Sequence, residues 1–384
     1  MTAQSYLSRL LLATVLTVLA VVSINFVVDP YGLTNAPRME GFNADKVSIN
    51  NYSRLLKKYQ PAVAEYDTLI VGNSRVEMGL HPEHACFERL GWSVYNLGLP
   101  GAGVRKQLNY ALDVLHKQPV QRVLLSVDFG DFVSAADAAQ KAQPPLLQQA
   151  LGELEYLPDG TANPEFSWLS LQDYYQALFS LDALVASVHT VVAQGPYAPN
   201  RSLAGFNPAN DFLGAVLVEG PRALFDQKQA SLEARFARRL TLVDTQGSPL
   251  QPYEDLLAFL QYASDQGVSI TLFTNPFHEM YWTLLREHGQ MPLYSQWKEM
   301  LSSLPSALPR ANISFWDFSS PSPYIHEAVP PPGVRTGPLQ WFWEPAHYRK
   351  ELGDLMIDSM LSSDCGSSAA FGSLIFHAAK RVSS

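Results

Sequence analysis

The chain has 384 residues, enough for one large or two modest domains with a substantial core. Charged residues make up only 16% and the formal net charge is −9, which excludes a nucleic-acid partner, because phosphate binding needs a basic face. With 47% hydrophobic residues, the 27 prolines and 23 glycines imply many loops and not disorder.

Residues 10–28 carry no charge and are interrupted only by Thr14, Thr17, Ser23 and Asn25. As a helix this run would be roughly 28 Å long, close to the hydrocarbon thickness of a bilayer. It ends in Phe26-Val27-Val28-Asp29-Pro30, bulky where a cleaved signal needs small residues, so it reads as an uncleaved anchor. Arg9 is an inside signal, which makes 1–9 a short cytoplasmic tail and exports the rest. Residues 29–50 read as a juxtamembrane linker. A helical pattern over 51–65 (Tyr52, Leu55, Leu56, Tyr59, Val63) then leads into the first strand.

That strand, residues 68–71, is wholly apolar and runs into Gly72-Asn73-Ser74-Arg75. Such a run suits a strand buried on both faces of a parallel sheet, where chemistry sits beyond the carboxyl ends of the strands. Ser74 therefore stands where a nucleophile would be presented, although Gly-Asn-Ser is also common in plain turns. A helix around 82–90 is expected to follow and to point main-chain N–H groups nearby. A second strand, 93–95, opens Asn96-Leu97-Gly98-Leu99-Pro100-Gly101-Ala102-Gly103, and Val104, Leu108, Ala111, Leu112 and Leu115 then recur at helical spacing. A third strand, 122–127, ends in Asp128-Phe129-Gly130-Asp131.

Residues 134–253 break the alternation and read as an insertion capping the sheet, with helices near 169–193 and 221–240. The alternation resumes with a helix over 253–266 and a strand over 268–273 that ends in Thr274-Asn275-Pro276-Phe277-His278. A helical region around 291–304 precedes a strand over 312–318. After a turn-rich stretch come Trp341-Phe342-Trp343-Glu344-Pro345-Ala346-His347 and a helix with Leu352, Met356, Ile357, Met360 and Leu361 on one face. The expected fold is α/β with a mainly parallel sheet. The domain ends near 364, and the Ser-, Ala- and Gly-rich tail over 365–384 reads as loosely ordered. Only Cys86 and Cys365 are present. Export would permit a disulfide between them, and two isolated thiols are the other reading.

Glu344 and His347, spaced i, i+3, stand on the same side of one turn. A carboxylate there can hold one ring nitrogen of His347 and leave the other to take a proton from Ser74. The bland alternative is that Glu344-Pro345 opens a helix with His347 on its surface. Around Gly101 a main-chain N–H could join that of Ser74 in an oxyanion hole, or the glycines could simply form a turn. A phosphate loop is excluded because neither Lys-Ser/Thr nor a dinucleotide fingerprint follows. His81 and His84 lack a third clustered ligand, so no metal and no cofactor is expected. His278 ends a strand at the functional edge and is a candidate for lining a substrate site. Asp128 and Asp317 read as rim residues or turn caps. The aromatic group Trp341, Phe342, Trp343 and Tyr348 could stack on sugars or pack in the core.

Strand-Gly-x-Ser, Asn-x-x-x-x-Gly and an acid three residues before a late His resemble the SGNH, or GDSL-type, hydrolase superfamily over roughly 66–131 and 268–361. Within it, Val28-Asp29-Pro30-Tyr31-Gly32, Gly72-Asn73-Ser74-Arg75, Asn96-Leu97-Gly98-Leu99-Pro100-Gly101 and Trp343-Glu344-Pro345-Ala346-His347-Tyr348 are similar to membrane-anchored bacterial factors of alginate O-acetylation and teichoic-acid D-alanylation. The resemblance implies a three-layer α/β/α domain in the periplasm on a single-pass inner-membrane anchor. It implies Ser74 as nucleophile, His347 as base, Glu344 as orienting acid, and Ser74 with Gly101 as oxyanion donors. The implied reaction is acyl transfer through an acyl-serine, adding or removing O-acetyl groups on an envelope or secreted polysaccharide. A carbohydrate polymer or acyl ester is the implied substrate, and a membrane acyltransferase the implied partner.

Two departures stand out. Gly130 occupies the place of the superfamily's third-motif Asn, and Glu344 replaces the usual Asp. Loss of one oxyanion donor costs about a hundredfold or more. Asn73, Arg75 and Asn275 are the candidates to replace it. A second reading follows from Gly130, in which the fold is a catalytically weak binding or scaffold subunit of an export or modification complex.

Overall fold

Leu69, Ile70 and Val71 are consecutive and all fully buried, which only a strand covered on both faces allows. They form β1 (Thr68–Gly72), and in the computed structural model, which describes residues 2–138, 144–148, 152–309, 311–366 and 371–378, the other strands assemble around it. They are β2 (Val94–Gly98), β3 (Arg122–Val127), a short β4 (Ser134–Ala135) and β5 (Leu240–Thr241), β6 (Ser269–Thr274), β7 (Ile313–Asp317), β8 (Phe342–Glu344), β9 (His347–Tyr348) and β10 (Ser373–Ala378). Six of them make one sheet in the order β10-β7-β6-β3-β1-β2, parallel except for β10. The fold is α/β with a mainly parallel sheet.

The helices are α1 (Ala3–Val28), α2 (Ile49–Tyr59), α3 (Ser74–Gly79), α4 (Ala85–Arg89), α5 (Val104–Lys117), α6 (Phe129–Phe132), α7 (Phe166–Phe179), α8 (Leu181–Val192), α9 (Asn210–Glu219), α10 (Pro221–Phe236), α11 (Gln251–Asp265), α12 (Glu279–Glu287), α13 (Met291–Ser302), α14 (Leu304–Ala307), α15 (Lys350–Met360) and α16 (Ser362–Cys365). Alternate strand residues enter two separate cores. Leu69, Val71, Val123, Leu125 and Leu272 pack with Leu108 and Leu112 of α5 and Phe259 and Leu260 of α11. Ile70, Leu124 and Phe273 pack with Val76 of α3 and Leu352, Met356 and Ile357 of α15. Each such side chain contributes roughly 1.5–3 kcal/mol on burial.

Between β3 and α11 the chain makes a long excursion whose base is closed by β4 pairing antiparallel with β5. Helices α7 to α10 lie in it. The helix α1 is long and apolar enough to cross a membrane, by length and composition.

Three stretches outside the sheet core take definite form. Residues 29–50, read as a linker, are held by hydrogen bonds. Asp29 takes a left-handed φ of 50°, and its Oδ1 accepts from the main-chain N–H groups of Leu33 (2.7 Å) and Thr34 (3.0 Å). Lys46 Nζ donates to the Val28 carbonyl at 3.0 Å and Asn43 Nδ2 to that of Val27 at 3.1 Å. The tail expected to be loose contributes edge strand β10, with Phe371 buried before it; residues 367–370 and 379–384 lie outside the described residues. Cys86 and Cys365 form a disulfide with Cα atoms 5.7 Å apart, tying α4 to α16.

Candidate active site

Parallel strands deliver their following loops to one edge of a sheet, and the candidate residues collect there. The helix expected around 82–90 is only α4, and the helix that matters begins at Ser74 itself. Asn73 caps it, its Oδ1 accepting from Arg75 N at 3.0 Å. As the first residue of α3, Ser74 has a main-chain N–H without a helical acceptor.

Close backbone packing fixes that helix. A Cβ on Gly98 would fall 2.7 Å from Glu77 N, and one on Gly79 would fall 2.0 Å from the Tyr348 ring. Gly98 thus admits the close approach of α3. Glu77 of α3 is wholly buried between two cations, Arg201 Nε at 2.9 Å and Lys57 Nζ at 3.6 Å. Lys57 in turn donates to the Asn96 carbonyl at 2.6 Å. A buried carboxylate survives only with such partners.

Glu344 and His347 meet across a hairpin, not on a helical turn. They are register partners in β8 and β9, with Pro345-Ala346 as the turn, and α15 starts only at Lys350. His347 Nδ1 bonds Glu344 Oε1, while Glu344 Oε2 accepts from Ala346 N at 2.9 Å. On the other side of the ring, His347 Nε2 lies 2.7 Å from Ser74 Oγ, although the residues are 273 apart in sequence. Ser74 is half-buried, whereas His347 and Glu344 are buried.

The electrostatics suit a neutral base beside an ionised acid. Burial pushes the His347 imidazole below its ordinary range, and Lys228 and Arg75 add to this against the attraction of Glu344. Burial would raise the Glu344 carboxyl, yet His347, Lys228 and the Ala346 N–H outweigh it and hold it low. Lys228 Nζ of α10 stands 3.8 Å from Glu344 Oε1, and Phe212 of α9 has its ring 6.2 Å from that of His347. Sequence reasoning missed both, for neither carries a motif.

Asp128, expected as a rim or cap residue, is a buried hub. Its Oδ2 accepts from Asn73 Nδ2 (2.5 Å) and Arg75 Nη1 (2.9 Å), and its Oδ1 from Asn275 Nδ2 (2.9 Å). The three side chains considered as a further oxyanion donor therefore differ. The Asn275 amide also donates to Ser126 and accepts from Tyr348 OH, and that of Asn73 also reaches Asp131. Both are committed. Arg75 uses Nε on the Ala346 carbonyl (2.8 Å) and Nη1 on Asp128, and lies over the Phe277 ring, which leaves Nη2 without an acceptor among the described residues. Beside Gly130, the Arg235 guanidinium fills the space a side chain would take, 3.1 Å from its notional Cβ.

Gly101 lies on the loop after β2, beside the loop carrying Ser74, since Gly72 and Gly98 are register partners. It adopts φ 65°, and its N–H has no acceptor among the described residues. His278 does not offer a ring nitrogen to a substrate. Its Nδ1 accepts from Met280 N (3.1 Å), capping α12, and Nε2 bonds the Glu327 carbonyl (2.7 Å). Asp317 pairs with Lys298 and accepts from Thr274 Oγ1 (2.7 Å), so it too is structural. Phe342 and Tyr348 are buried in the core, Trp341 is half-buried against it, and Trp343 is buried in a separate small cluster with Met78, Ala209 and Phe212. His84 caps α4, and among the described residues no group of three or more His, Cys, Asp or Glu could hold a metal.

Comparison with protein-family models, curated proteins and solved structures finds no match to the chain.

Proposed function

We propose that the protein is a membrane-anchored SGNH-like acyl-transfer enzyme with Ser74 as nucleophile, His347 as general base and Glu344 as orienting acid. One observation carries the reading: Ser74 Oγ, both nitrogens of His347 and Glu344 Oε1 form a continuous hydrogen-bonded chain between two segments remote in sequence, the start of α3 and the β8–β9 hairpin. Helices on both sheet faces fit a three-layer α/β/α arrangement. In the first half-reaction His347 Nε2 takes the Ser74 proton as Oγ bonds the acyl carbon. The main-chain N–H groups of Ser74 and Gly101, with Arg75 Nη2, are the donors for the oxyanion. Collapse breaks the ester bond, and the leaving alcohol takes the proton from His347. In the second half-reaction His347 deprotonates an acceptor hydroxyl or water, which attacks the acyl-serine and frees Ser74. The disulfide and α1 support an exported domain on a single-pass anchor in the inner membrane, facing the periplasm. O-acetylation or deacetylation of an envelope polysaccharide, with a membrane acyltransferase as partner, extends this by the motif resemblance alone.

The test uses the full chain in detergent with a fluorophosphonate probe and p-nitrophenyl acetate. Adduct at Ser74, lost in Ser74→Ala and sharply reduced in His347→Ala, is the expected outcome. A folded chain that neither labels nor turns over refutes the catalytic reading. The scaffold reading is favoured by the committed amides of Asn73 and Asn275 and the absence of a side chain at Gly130.

A further inference from the structure

Helices α7 and α8 meet at a 56° bend and expose an unusual run of large apolar side chains. Trp168, Leu171, Tyr175, Leu181, Val185 and Val192 are each at least 60% exposed, far beyond the scattered apolar residues of a soluble surface. The exposed polar side chains of the two helices are Ser167, Gln172, Gln176, Asp182 and His189, of which only Asp182 is a carboxylate. Asp173 is paired with Lys58 at 2.7 Å and accepts from Tyr59 OH, leaving Asp182 as the exposed carboxylate among the described residues of both helices.

The second observation is where this hairpin sits. Asn25, in the last turn of α1, is fully buried against it. Asn25 Nδ2 donates to the Leu178 carbonyl (2.9 Å), and Ser187 Oγ donates to Asn25 Oδ1 (2.8 Å). The small residues Ala177, Ala183 and Ala186 face Tyr31 and Leu33 just beyond α1. The hairpin is therefore docked on the end of α1, among the described residues the single helix long and apolar enough by itself to cross a bilayer, and the same end of α1 exposes Ile24, Phe26 and Val27. A medium that covers the end of α1 covers the hairpin as well. Trp and Tyr on such a face are the side chains favoured at the headgroup boundary.

We infer that α7–α8 is a second membrane contact, lying in the lipid interface beside the end of α1 and seating the sheet domain on the bilayer. The inference rests on the reading of α1 as a span. The full chain is reconstituted in vesicles of phosphatidylcholine and phosphatidylglycerol with lipids brominated at acyl carbons 6 and 7, and tryptophan fluorescence is recorded. None of the seven tryptophans lies in α1, and Trp168 is the most exposed among the described ones. The expected result is a lipid-quenched component that disappears in Trp168→Phe. Equal quenching in that variant, or retention of the chain through alkaline carbonate washing with no quenching, overturns the hairpin contact and leaves the anchor intact. Loss of the chain to the carbonate wash overturns the anchor, and this inference with it. A benzophenone side chain at position 171 that cross-links a protein in cell membranes, and not lipid, also overturns it.

Discussion

Glu344→Gln is the sharpest probe of the relay, because the hairpin dictates how the new amide must face. Ala346 N–H donates to Glu344 Oε2 at 2.9 Å, a buried donor that must keep an acceptor. The glutamine oxygen therefore stays on Ala346, and the amide NH2 takes the place of Oε1 against His347 Nδ1. That nitrogen must then accept, which moves the ring proton to Nε2 and turns it toward Ser74 Oγ. The base is lost while the fold keeps every hydrogen bond. An inverted tautomer of this kind costs ~10³–10⁴-fold in acylation, or ~4–5.5 kcal/mol of barrier. Pseudo-first-order fluorophosphonate labelling at Ser74 measures it, with thermal unfolding to confirm that the variant folds. Labelling within about threefold of the parent rate would refute the tautomer argument, and with it the role assigned to Glu344.

Acylation should fall on the acid side through a pKa below the ordinary imidazole value, since burial first, then Lys228 and Arg75, depress His347. Lys228→Met removes one positive neighbour, so this limb should move to higher pH, more at low salt than at high; an unmoved limb would show that Lys228 is screened. Gly79→Ala drives a Cβ into the Tyr348 ring and should cost ~1–3 kcal/mol in urea unfolding. Asp131 is pushed up to about 6 by burial and by Asp128, so its folded form prefers the proton. Its contribution is complete below the unfolded value near 4 and is lost as pH rises through about 6. Asp131→Asn, whose oxygen can still accept from Asn73 and Gln107, should therefore gain ~1–3 kcal/mol at pH 7 and flatten stability between pH 4 and 6. A parent chain with flat stability across that window would contradict the assignment.

The parallel strands and their helices were legible because strands buried on both faces must be continuously apolar, as Leu69 to Val71 are. Ser74, Glu344 and His347 were legible as types at suggestive spacing, but the geometry that joins them was not. The i, i+3 spacing fits a helical turn and a two-residue hairpin equally, and only pairing of β8 with β9 decides between them. Buried polar residues were the least readable. Glu77 meets Arg201 across 124 positions, and Asp128 gathers Asn73, Arg75 and Asn275 from two other loops. Local pattern carries no trace of partners so remote. The role of α7 and α8 was hidden for the opposite reason, since apolar helices read alike whether a core or another medium covers them.

The fastened joint after α1 has a mechanical meaning. A slack tether would let the domain wander and meet acceptors over a wide volume at many angles. Here Asp29, Asn43 and Lys46 clamp the end of α1 to the chain that follows, so under the proposed anchoring the Ser74 edge stands at one height and one attitude. Reach is then set by the architecture, and the acceptor has to be brought to the serine. A small soluble ester would not notice if the joint were loosened; a polymer delivered along the membrane would.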